Sequence, residues 1–593
     1  MNGPGGVVPE PPTVKVLDSC PVEDITSQYD MCMVLPLKDG KLEPNKGQNY
    51  VAKLLELDLD VYIYNSLYHD VAFVLVRASD ERLKRCADYY NFKMLLDPEV
   101  ARSFAMRGSE GIAPFDIEHI ESITPYGPYE SIYTNYSTNV SEDLYWRPEG
   151  ETSPFRRAVR LKLMTIMIQE RPNGRENIKI ARYLKTGSML GYFPLHDHGH
   201  KAALSREWLY WPTNYLSPKQ LMRGILPWAQ PMQAVREYFG EKVALFFNFF
   251  AHYLYWLIFP AVICIPVQIN RWYASETSEP GIGDEITGAR LGVLLYALCV
   301  SIWCGFMLEF WKRRCADVAL EWGMIGFEEN EADRPDFKGK ILERSHIDGL
   351  PHMHFPAAQR SARQMLTSLA VFLAISTVSA LVAGIYVLKF VALGHDSSMQ
   401  AVVSAFNAVQ IQITNAAYRF VAHELTKHEN YRTETQHEDA LILKLFAFQF
   451  INSYSSFFFL AFVAKYIANG CGPDGNGACV TNLAMNLAII FGTRLATAQA
   501  DAFVVPYLTT RVGWITKLVR GKERNLFSQR ELGHSLVAPE IDFLLDRYDN
   551  EGTSIAKYGQ LTLDFGYTAL FSAALPISSL LAFGAGCISL KSE

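Results

Sequence analysis

The strongest constraint on this chain of 593 residues is a series of charge-poor runs in its second half. A hydrocarbon core of about 30 Å requires roughly 20 apolar residues in helical form. Five runs of about that length carry no Asp, Glu, Lys or Arg: Val243–Ile269, Leu291–Leu308, Leu366–Leu388, Leu445–Ala464 and Phe565–Leu590. Ala478–Leu508 contains only two charged residues, and the more polar Ser404–Thr426 completes the series. A buried core helix explains any single run, but the whole set predicts an α-helical polytopic membrane protein with about seven spans.

Residues 1–240 read as a soluble region that precedes these spans. The chain opens with "MNGPGGVVPEPP", without the basic start and apolar stretch of a signal peptide, so this region is predicted to be cytosolic. The basic run "FWKRRC" after the second span supports the same orientation by the positive-inside rule. Strand-like "DMCMVLPL" and "DVAFVLVRAS" alternate with helix-like segments, which is typical of an α/β domain. The predicted organisation is a disordered tail at 1–24, an α/β domain at 25–185, a linker with pre-membrane helices at 186–240, and a transmembrane domain at 241–590.

Composition excludes several classes of function. The net charge is −7 and no basic block is present, which argues against a nucleic-acid partner. No nucleophile, acid–base pair or Gly-rich phosphate loop stands out, so the sequence predicts that the protein is not an enzyme. Cys471 and Cys479 flank the loop "CGPDGNGAC", predicted to lie outside the cell or in an organelle lumen, where they either form a disulfide or remain free thiols.

The run Ser404–Thr426 is long enough to span a bilayer but unusually polar. At about 100° per residue, four of its residues fall within about 80° of one another: Asn407, Gln410, Thr414 and Tyr418. Arg419 continues this polar arc, and apolar residues occupy the opposite side. Because polar groups cannot face hydrocarbon cheaply, the arc must face other helices or water. A hydrophilic furrow for ions or lipid headgroups is the favoured interpretation, and hydrogen bonding between helices or a helix lying on the membrane surface are the alternatives.

Charged residues also occur within the last two predicted spans. Arg494 and Asp501 lie two helical turns apart, and Lys557, Gln560 and Asp564 share one helix face. Ionisable groups inside a membrane mark either a functional pathway or charge pairs that hold a bundle together, and both interpretations stay open here.

Several segments closely resemble the anoctamin family: "YFGEKVALFF", "WGMIGFEENEADRPDFKG", "LTKHENYRTETQHEDALILKLFAFQFINSYSSFFFLAF" and "DFGYTALFSAALPIS". The resemblance runs from about Phe193 to Leu580. It implies a calcium-regulated chloride channel, a phospholipid scramblase, or both, with a ten-span fold and a homodimeric assembly. It also implies that ions or lipid headgroups move along a groove bordered by the fourth to seventh spans. Ser404–Thr426 corresponds to the fourth span, so Asn407, Gln410, Thr414, Tyr418 and Arg419 are the predicted pathway-lining residues.

The resemblance also implies a calcium site with acidic ligands from the sixth, seventh and eighth spans. In this chain Asp501 lies one residue before the corresponding position of the sixth span, which is occupied by Ala502. Lys557 and Gln560 stand where the seventh span of the family carries glutamates. The eighth span is expected to be missing, along with the usual dimer contact, because Phe565–Leu590 is interpreted as the seventh. The sequence therefore predicts a divergent, C-terminally truncated member with a degenerate calcium site formed by Asp501 and Asp564.

Two functions follow from these observations. The first is a multi-pass transport protein that moves chloride ions, phospholipid headgroups or both along the polar arc, with calcium gating in question. The second is a non-conducting membrane tether or scaffold that has lost transport. Channel and scramblase cannot be separated from sequence, and neither can a plasma-membrane and an endomembrane location.

Overall fold

The computed structural model describes residues 14–17, 28–38, 41–42, 47–66, 70–100, 132–147, 153–169, 178, 180–208, 230–276, 283–326, 331, 334, 336–344, 351–392, 397–466, 480–500, 537–544 and 550–592. Predictions about Cys471, Cys479 and Asp501 concern residues outside these ranges.

The N-terminal region contains a mixed six-stranded sheet. Strands β1 to β8 are Val14–Leu17, Met31–Lys38, Lys41–Leu42, Asp60–Asn65, Val71–Arg77, Lys93–Leu95, Tyr133–Asn135 and Gly191–Pro194. The sheet order is β1-β4-β5-β2-β3, with β8 also paired to β2, while β6 and β7 form a separate pair. β1 runs parallel to β4, and the remaining pairs in the sheet are antiparallel.

Five helices accompany these strands. Helices α1 to α5 are Gly47–Glu56, Asp80–Tyr89, Arg157–Gln169, Ile180–Lys185 and His198–Trp208. The strand-like runs "DMCMVLPL" and "DVAFVLVRAS" coincide with β2 and β5. The helix-like segments that alternate with them coincide with α1 and α2. However, β1 lies in the segment predicted to be a tail, and β8 lies in the predicted linker. Both are short strands stabilised by pairing with distant strands, which a local pattern does not reveal.

A guanidinium fixes α3 against the edge of this domain. Arg160 donates to the Asp80 carboxylate at 2.5 Å and to the Ala78 carbonyl at 2.9 Å, and it also pairs with Asp30. Burial alone would lower the pKa of Arg160, but the carboxylates of Asp30 and Asp80 raise it above its usual value. The interaction therefore holds the cation in place where α3 meets the sheet.

The second half of the chain is dominated by long helices. Helices α6 to α11 are Met232–Phe239, Glu241–Glu276, Gly283–Glu321, Ala357–Ala392, Ser397–Glu429 and Glu434–Phe458. A hairpin of β9, Ile341–Arg344, and β10, Pro351–His354, precedes α9. Helix α12 covers residues 480–500, and α13, α14 and α15 are Ala538–Leu544, Asn550–Phe571 and Ser578–Ser592.

Four helical segments among the described residues are long and apolar enough to cross a membrane. They are Glu241–Tyr273, Arg290–Glu321, Ala357–Ile385 and Glu434–Val463, and they coincide with the first three uncharged runs and with Leu445–Ala464. Large apolar side chains on their outer faces are exposed, for example Leu294 at 65% and Phe372 at 65%. Such apolar faces are what a lipid environment requires.

The prediction that Phe565–Leu590 forms one continuous span was wrong. α14 ends at Phe571, a turn follows, and α15 begins at Ser578. Pro576 lies in this turn, where its missing N–H and fixed φ disfavour an uninterrupted helix. The predicted seventh span is therefore divided between two helices, and the second of them, α15, packs against α7.

Charged residues fix the turn between α10 and α11. The buried Glu429 carboxylate pairs with the Lys444 ammonium at 2.9 Å and accepts a hydrogen bond from Thr367 of α9. Asn430 has a left-handed backbone, with φ of 59°, and exchanges two hydrogen bonds of 3.0 Å with the backbone of Lys338. These contacts hold α9, α10 and α11 in a defined register.

Close packing of α11 on α14 can be tested at a glycine. A Cβ added at Gly566 would meet the hydroxyl and ring of Tyr454, whose hydroxyl donates to the Leu563 carbonyl at 2.7 Å. We expect Gly566→Ala to destabilise the protein by about 1–3 kcal/mol, because overpacking displaces Tyr454. Thermal unfolding of the detergent-solubilised protein measures this loss.

The matched control is Gly584→Ala, because the added Cβ on this helical glycine meets open space. We expect the control to be neutral or to stabilise by up to about 1 kcal/mol through helix propensity. Equal melting temperatures for the two variants would show that α11 and α14 do not pack as described.

Candidate functional site

The polar side of α10 faces the neighbouring helix α11. The buried residues of α10 recur every three or four positions, and they include Asn407, Gln410, Asn415 and Tyr418. Thr414 is half-buried, whereas Arg419 is exposed. The apolar side points outward, with Phe406, Ile413 and Phe420 exposed at 62%, 64% and 81%. Asn407, Gln410 and Tyr418 thus lie on the buried side that the wheel predicts, which α11 covers, whereas Arg419 lies on the exposed side.

Asn452 of α11 is the centre of the hydrogen bonds between the two helices. Its Nδ2 donates to Oγ1 of Thr414 at 2.9 Å and to Oδ1 of Asn415 at 2.8 Å. Its Oδ1 accepts a hydrogen bond from Nε2 of Gln410 at 3.3 Å. Because Asn452 is fully buried, these bonds stabilise α10 against α11 in one register.

Sequence reasoning did not select Asn452, since the uncharged run Leu445–Ala464 was interpreted only as a span. The signal was the group of polar residues within that run, Asn452, Ser453, Ser455 and Ser456.

A stacked aromatic pair continues this interface toward the α10–α11 turn. The rings of Tyr418 and Phe448 lie 3.8 Å apart between centroids and are nearly parallel. The Tyr418 hydroxyl donates to the Lys444 carbonyl at 3.4 Å. Tyr418 therefore closes one end of the interface, and the charged head of Arg419 lies beyond it on the surface.

Farther from the α10–α11 turn, the interface between these two helices contains buried polar groups for which the described residues supply no hydrogen-bond partner. Within the described part of the chain, the Nδ2 and Oδ1 atoms of Asn407, Oε1 of Gln410 and the hydroxyl of Ser456 are buried without a partner. A buried polar group without a partner costs about 1–3 kcal/mol, so such a group requires an explanation. We call Asn407, Gln410 and Ser456 the polar strip. It is uncharged and offers both donors and acceptors.

A second polar arrangement joins α12 to α14. The Nε atom of Arg494 lies 2.5 Å from Oδ1 of Asp564, and Nη2 donates to the Gln560 carbonyl at 2.9 Å. Both side chains are largely buried. Arg494 was predicted to share a helix face with Asp501, but its partner in the structure is Asp564, seventy residues along the chain.

A cavity of about 30 Å³ adjoins this ion pair between α7, α12, α14 and α15. Lys557, Gln560 and Asp564 line it together, as expected for residues on one helix face. Gln499 and Ser589 complete its polar wall, and Nε2 of Gln499 donates to the Ser589 hydroxyl at 2.7 Å. Gln499 and Ser589 were not predicted, because α15 was taken as part of the preceding span.

The described residues of this cavity do not suit a calcium ion. Calcium takes six to eight oxygen ligands, usually with several carboxylates. The cavity instead contains a lysine ammonium, and its one carboxylate among the described residues is already bound to Arg494. No group of three or more His, Cys, Asp or Glu residues that could hold a metal occurs within the described ranges. Asp564 therefore acts here as an ion-pair partner.

Long apolar helices with polar groups enclosed between them define a multi-pass integral membrane protein. Comparison with known families then identifies the group: a family profile described as "Anoctamin: Calcium-activated chloride channel" matches residues 235–593. The chain belongs to the anoctamin family. A second profile, "Anoctamin, dimerisation domain", matches residues 30–237, so the prediction that the dimer contact is missing is not supported.

Individual relatives agree with this assignment. The chain is 25% identical to anoctamin-4 of Bos taurus, in an alignment that covers all of this chain and 71% of the relative. It is 26% identical to anoctamin-3 of Mus musculus over 74% of this chain and 50% of the relative. It is 28% identical to anoctamin-10 of Homo sapiens over 68% of this chain and 55% of the relative. The chain thus spans about half to seven tenths of the length of these curated relatives.

The ion pair between Arg494 and Asp564 can be tested by removing one charge and then both. Asp564→Asn leaves a buried guanidinium without its partner, so we expect a loss of about 3–5 kcal/mol of stability. The double variant Arg494→Met with Asp564→Leu removes both charges and should recover most of that loss. Thermal unfolding in detergent gives both values.

An exposed pair, Lys427 with Glu424, provides the control. Lys427→Met should change stability by no more than about 1 kcal/mol. If the double variant were as unstable as the sum of Arg494→Met and Asp564→Leu measured singly, the two residues would not act as a pair.

Proposed function

We propose that this chain is a membrane transport protein that moves chloride ions, phospholipid headgroups or both along the polar strip between α10 and α11. The observation that carries the proposal is the set of buried, unpartnered polar groups at Asn407, Gln410 and Ser456. Their hydrogen-bonding capacity is unused in the closed arrangement. A passing anion would bind their donors, and a phosphodiester headgroup would replace part of its lost hydration in the same way.

The local backbone supports opening at this place. Tyr418 contacts Phe448 and Thr414 contacts Asn452, so the antiparallel register brings Ser456 to the level of Gln410, one turn from Asn407. The α-helical hydrogen bonds of α11 end nearby and continue as a π-helical segment, Phe459–Val463. Such segments are frequent at functional sites. We infer that α10 and α11 separate at this end, while the hydrogen bonds of Asn452 and the Tyr418 stack hold the other end.

The family match supports the substrate class, and the residues around Asp564 support transport that does not need calcium at this cavity. We further infer a homodimer through residues 30–237 and a cytosolic N-terminus, the latter from the basic residues Lys312, Arg313 and Arg314 after α8's apolar segment. Asn407 and Gln410 line the end of the proposed path that separates. Thr414 and Tyr418 lie on the same path but keep it closed in this state, and Arg419 lies beyond them at the cytosolic mouth.

A membrane tether is the second candidate, and one observation favours it. The polar side of α10 is packed on α11, with Asn407 only 1% exposed, so a continuous open furrow is not formed in this state. Purified protein in liposomes separates the candidates, because a tether accelerates neither chloride flux nor the flip of labelled lipid.

Asn407→Leu tests the polar strip directly. The substitution keeps the number and branching of the side-chain heavy atoms and removes two unpartnered polar atoms, so the gain from removing them should offset most of the cost of the larger methyl groups and stability should change little. Transport should fall about five- to thirtyfold, because a lost hydrogen bond to the moving group raises the barrier by about 1–2 kcal/mol. Chloride flux and lipid flip are measured on the same liposomes.

Gln412→Leu is the matched control, because Gln412 lies on the same helix with an exposed side chain. Its transport rate should remain near that of the unchanged protein. If Asn407→Leu transported at the rate of the unchanged protein, the strip would not be the path.

Calcium dependence gives a separate prediction. An effector site coupled to transport typically changes the affinity or rate about 5- to 150-fold. Because Asp564 is bound to Arg494 and Lys557 lines the cavity, we expect rates with added calcium and with a chelator to differ by less than about twofold. A larger, saturable increase with calcium would contradict this proposal and point to ligands outside the described ranges.

A further inference from the structure

A second, larger cavity lies where the N-terminal domain meets the long helices. Its volume is about 730 Å³, within the range of about 300–1,000 Å³ that is usual for small-molecule sites. Its walls come from β6 and β7, from α3, from the junction of α6 and α7, and from the segment that follows α8. The last of these is the "WGMIG" part of a motif used above only for the family resemblance, Trp322–Gly326.

The shape of this wall depends on two glycines. Gly323 and Gly326 have φ of 66° and 72°, a conformation that favours glycine. A Cβ at Gly323 would lie 2.7 Å from the ring of Tyr133, so the turn packs directly against β7. The Tyr133 hydroxyl in turn donates to the Glu321 carbonyl at 3.0 Å. The cavity is therefore bounded by a tightly folded wall.

The charge in the cavity is unbalanced. Four cations line it, Lys93, Arg156, Lys162 and Arg236, against two carboxylates, Glu237 and Glu241. Lys162 pairs with Glu241 at 2.8 Å, and Arg156 approaches Glu237 only to 3.6 Å. Lys93 makes no ion pair within the described part of the chain. Subtracting the two carboxylates from the four cations leaves a formal charge of +2 around the cavity.

Aromatic rings hold the two guanidinium groups in place. Arg156 lies over the ring of Trp146 at 5.0 Å, and Arg236 lies over the ring of Trp322 at 5.3 Å. Arg236 is 6% exposed, and its Nη2 donates to the Tyr133 hydroxyl at 3.2 Å. Cations fixed in this way lose little conformational entropy when an anion binds.

We propose that this cavity binds an organic phosphate. A phosphate monoester carries a charge of about −1.5 to −2 near neutral pH, which matches the surplus in the cavity. Lys93 and Arg156 contact the phosphate, with Lys93 acting as a point charge and Arg156 as a planar donor. Trp146, Met324 and Ile325 contact the remainder of the ligand.

The phosphate has two sources that share this chemistry. Glu241 is the first residue of α7, a candidate membrane span, so the headgroup of a membrane phosphate monoester lies within reach of the site. A soluble phosphate ester is the other source. In either case the ligand bridges the N-terminal domain and the base of α7, and it stabilises their contact by mass action.

Binding to the full chain in detergent tests the proposal by calorimetry, with adenosine 5′-monophosphate as the soluble probe and citrate as a carboxylate of comparable charge. Co-flotation with phosphatidylcholine vesicles containing phosphatidic acid tests the lipid source, and vesicles with phosphatidylserine control for general negative charge. Binding of the soluble probe identifies a soluble ligand, and selective flotation with phosphatidic acid identifies a lipid headgroup. Both outcomes support the site.

Lys93→Gln is the primary variant, because Lys93 is exposed, has no ion pair to lose and should not affect folding. We expect it to weaken phosphate binding at least about tenfold at low salt, and Arg156→Gln to weaken it further. Lys201→Gln, an exposed lysine of α5 outside the cavity, should bind as the unchanged protein does. Equal affinity of Lys93→Gln, equal affinity for citrate, or absence of binding to both phosphate probes would overturn the proposal. Transport assays are independent of these readouts.

Discussion

The pairing of α10 with α11 depends on one buried amide, Asn452. A polar group inside a membrane bundle must find partners within the protein, because hydrocarbon offers none. Asn452 meets that requirement by bonding Gln410, Thr414 and Asn415, and so it fixes which side of α10 faces α11. Once that side is set, the apolar residues of α10 are directed to the outside, where Phe406 and Phe420 are exposed.

The interface between α10 and α11 contains polar groups with hydrogen-bond partners at one end and, among the described residues, polar groups without partners toward the other. Toward the α10–α11 turn, the Asn452 bonds, the Tyr418–Phe448 stack and the Glu429–Lys444 ion pair hold the helices together. Farther along, Asn407 and Ser456 contribute buried polar atoms without partners in the described structure. The bonded end supplies stability and the unbonded end is the weaker contact. A hinge-like separation from that end therefore costs less than sliding or complete dissociation of the helices.

Local sequence patterns predicted the features that depend on residues close together in the sequence. The helical wheel of Ser404–Thr426 separated the buried from the exposed side of α10, and uncharged length predicted the four apolar segments. These local patterns failed where the structure depends on contacts between residues that are far apart in the sequence. Arg494 pairs with Asp564 across seventy residues, and β8 pairs with β2. No spacing within one helix reveals these choices, because the partners belong to other elements.

Charge is distributed differently between the two sites, and this difference bears on selectivity. The polar strip consists of amides and hydroxyls, which can solvate an anion or a zwitterionic headgroup without favouring either by charge. The cavity lined by Lys93 and Arg156 carries a formal surplus of positive charge, and it lies at the base of α7 away from the strip. For the proposed transport, a neutral path would pass its cargo without trapping it, since a strongly charged site binds too tightly to release. Discrimination between chloride and lipid along the proposed path would then depend on how far α10 and α11 separate, because width distinguishes a small ion from a headgroup when charge does not.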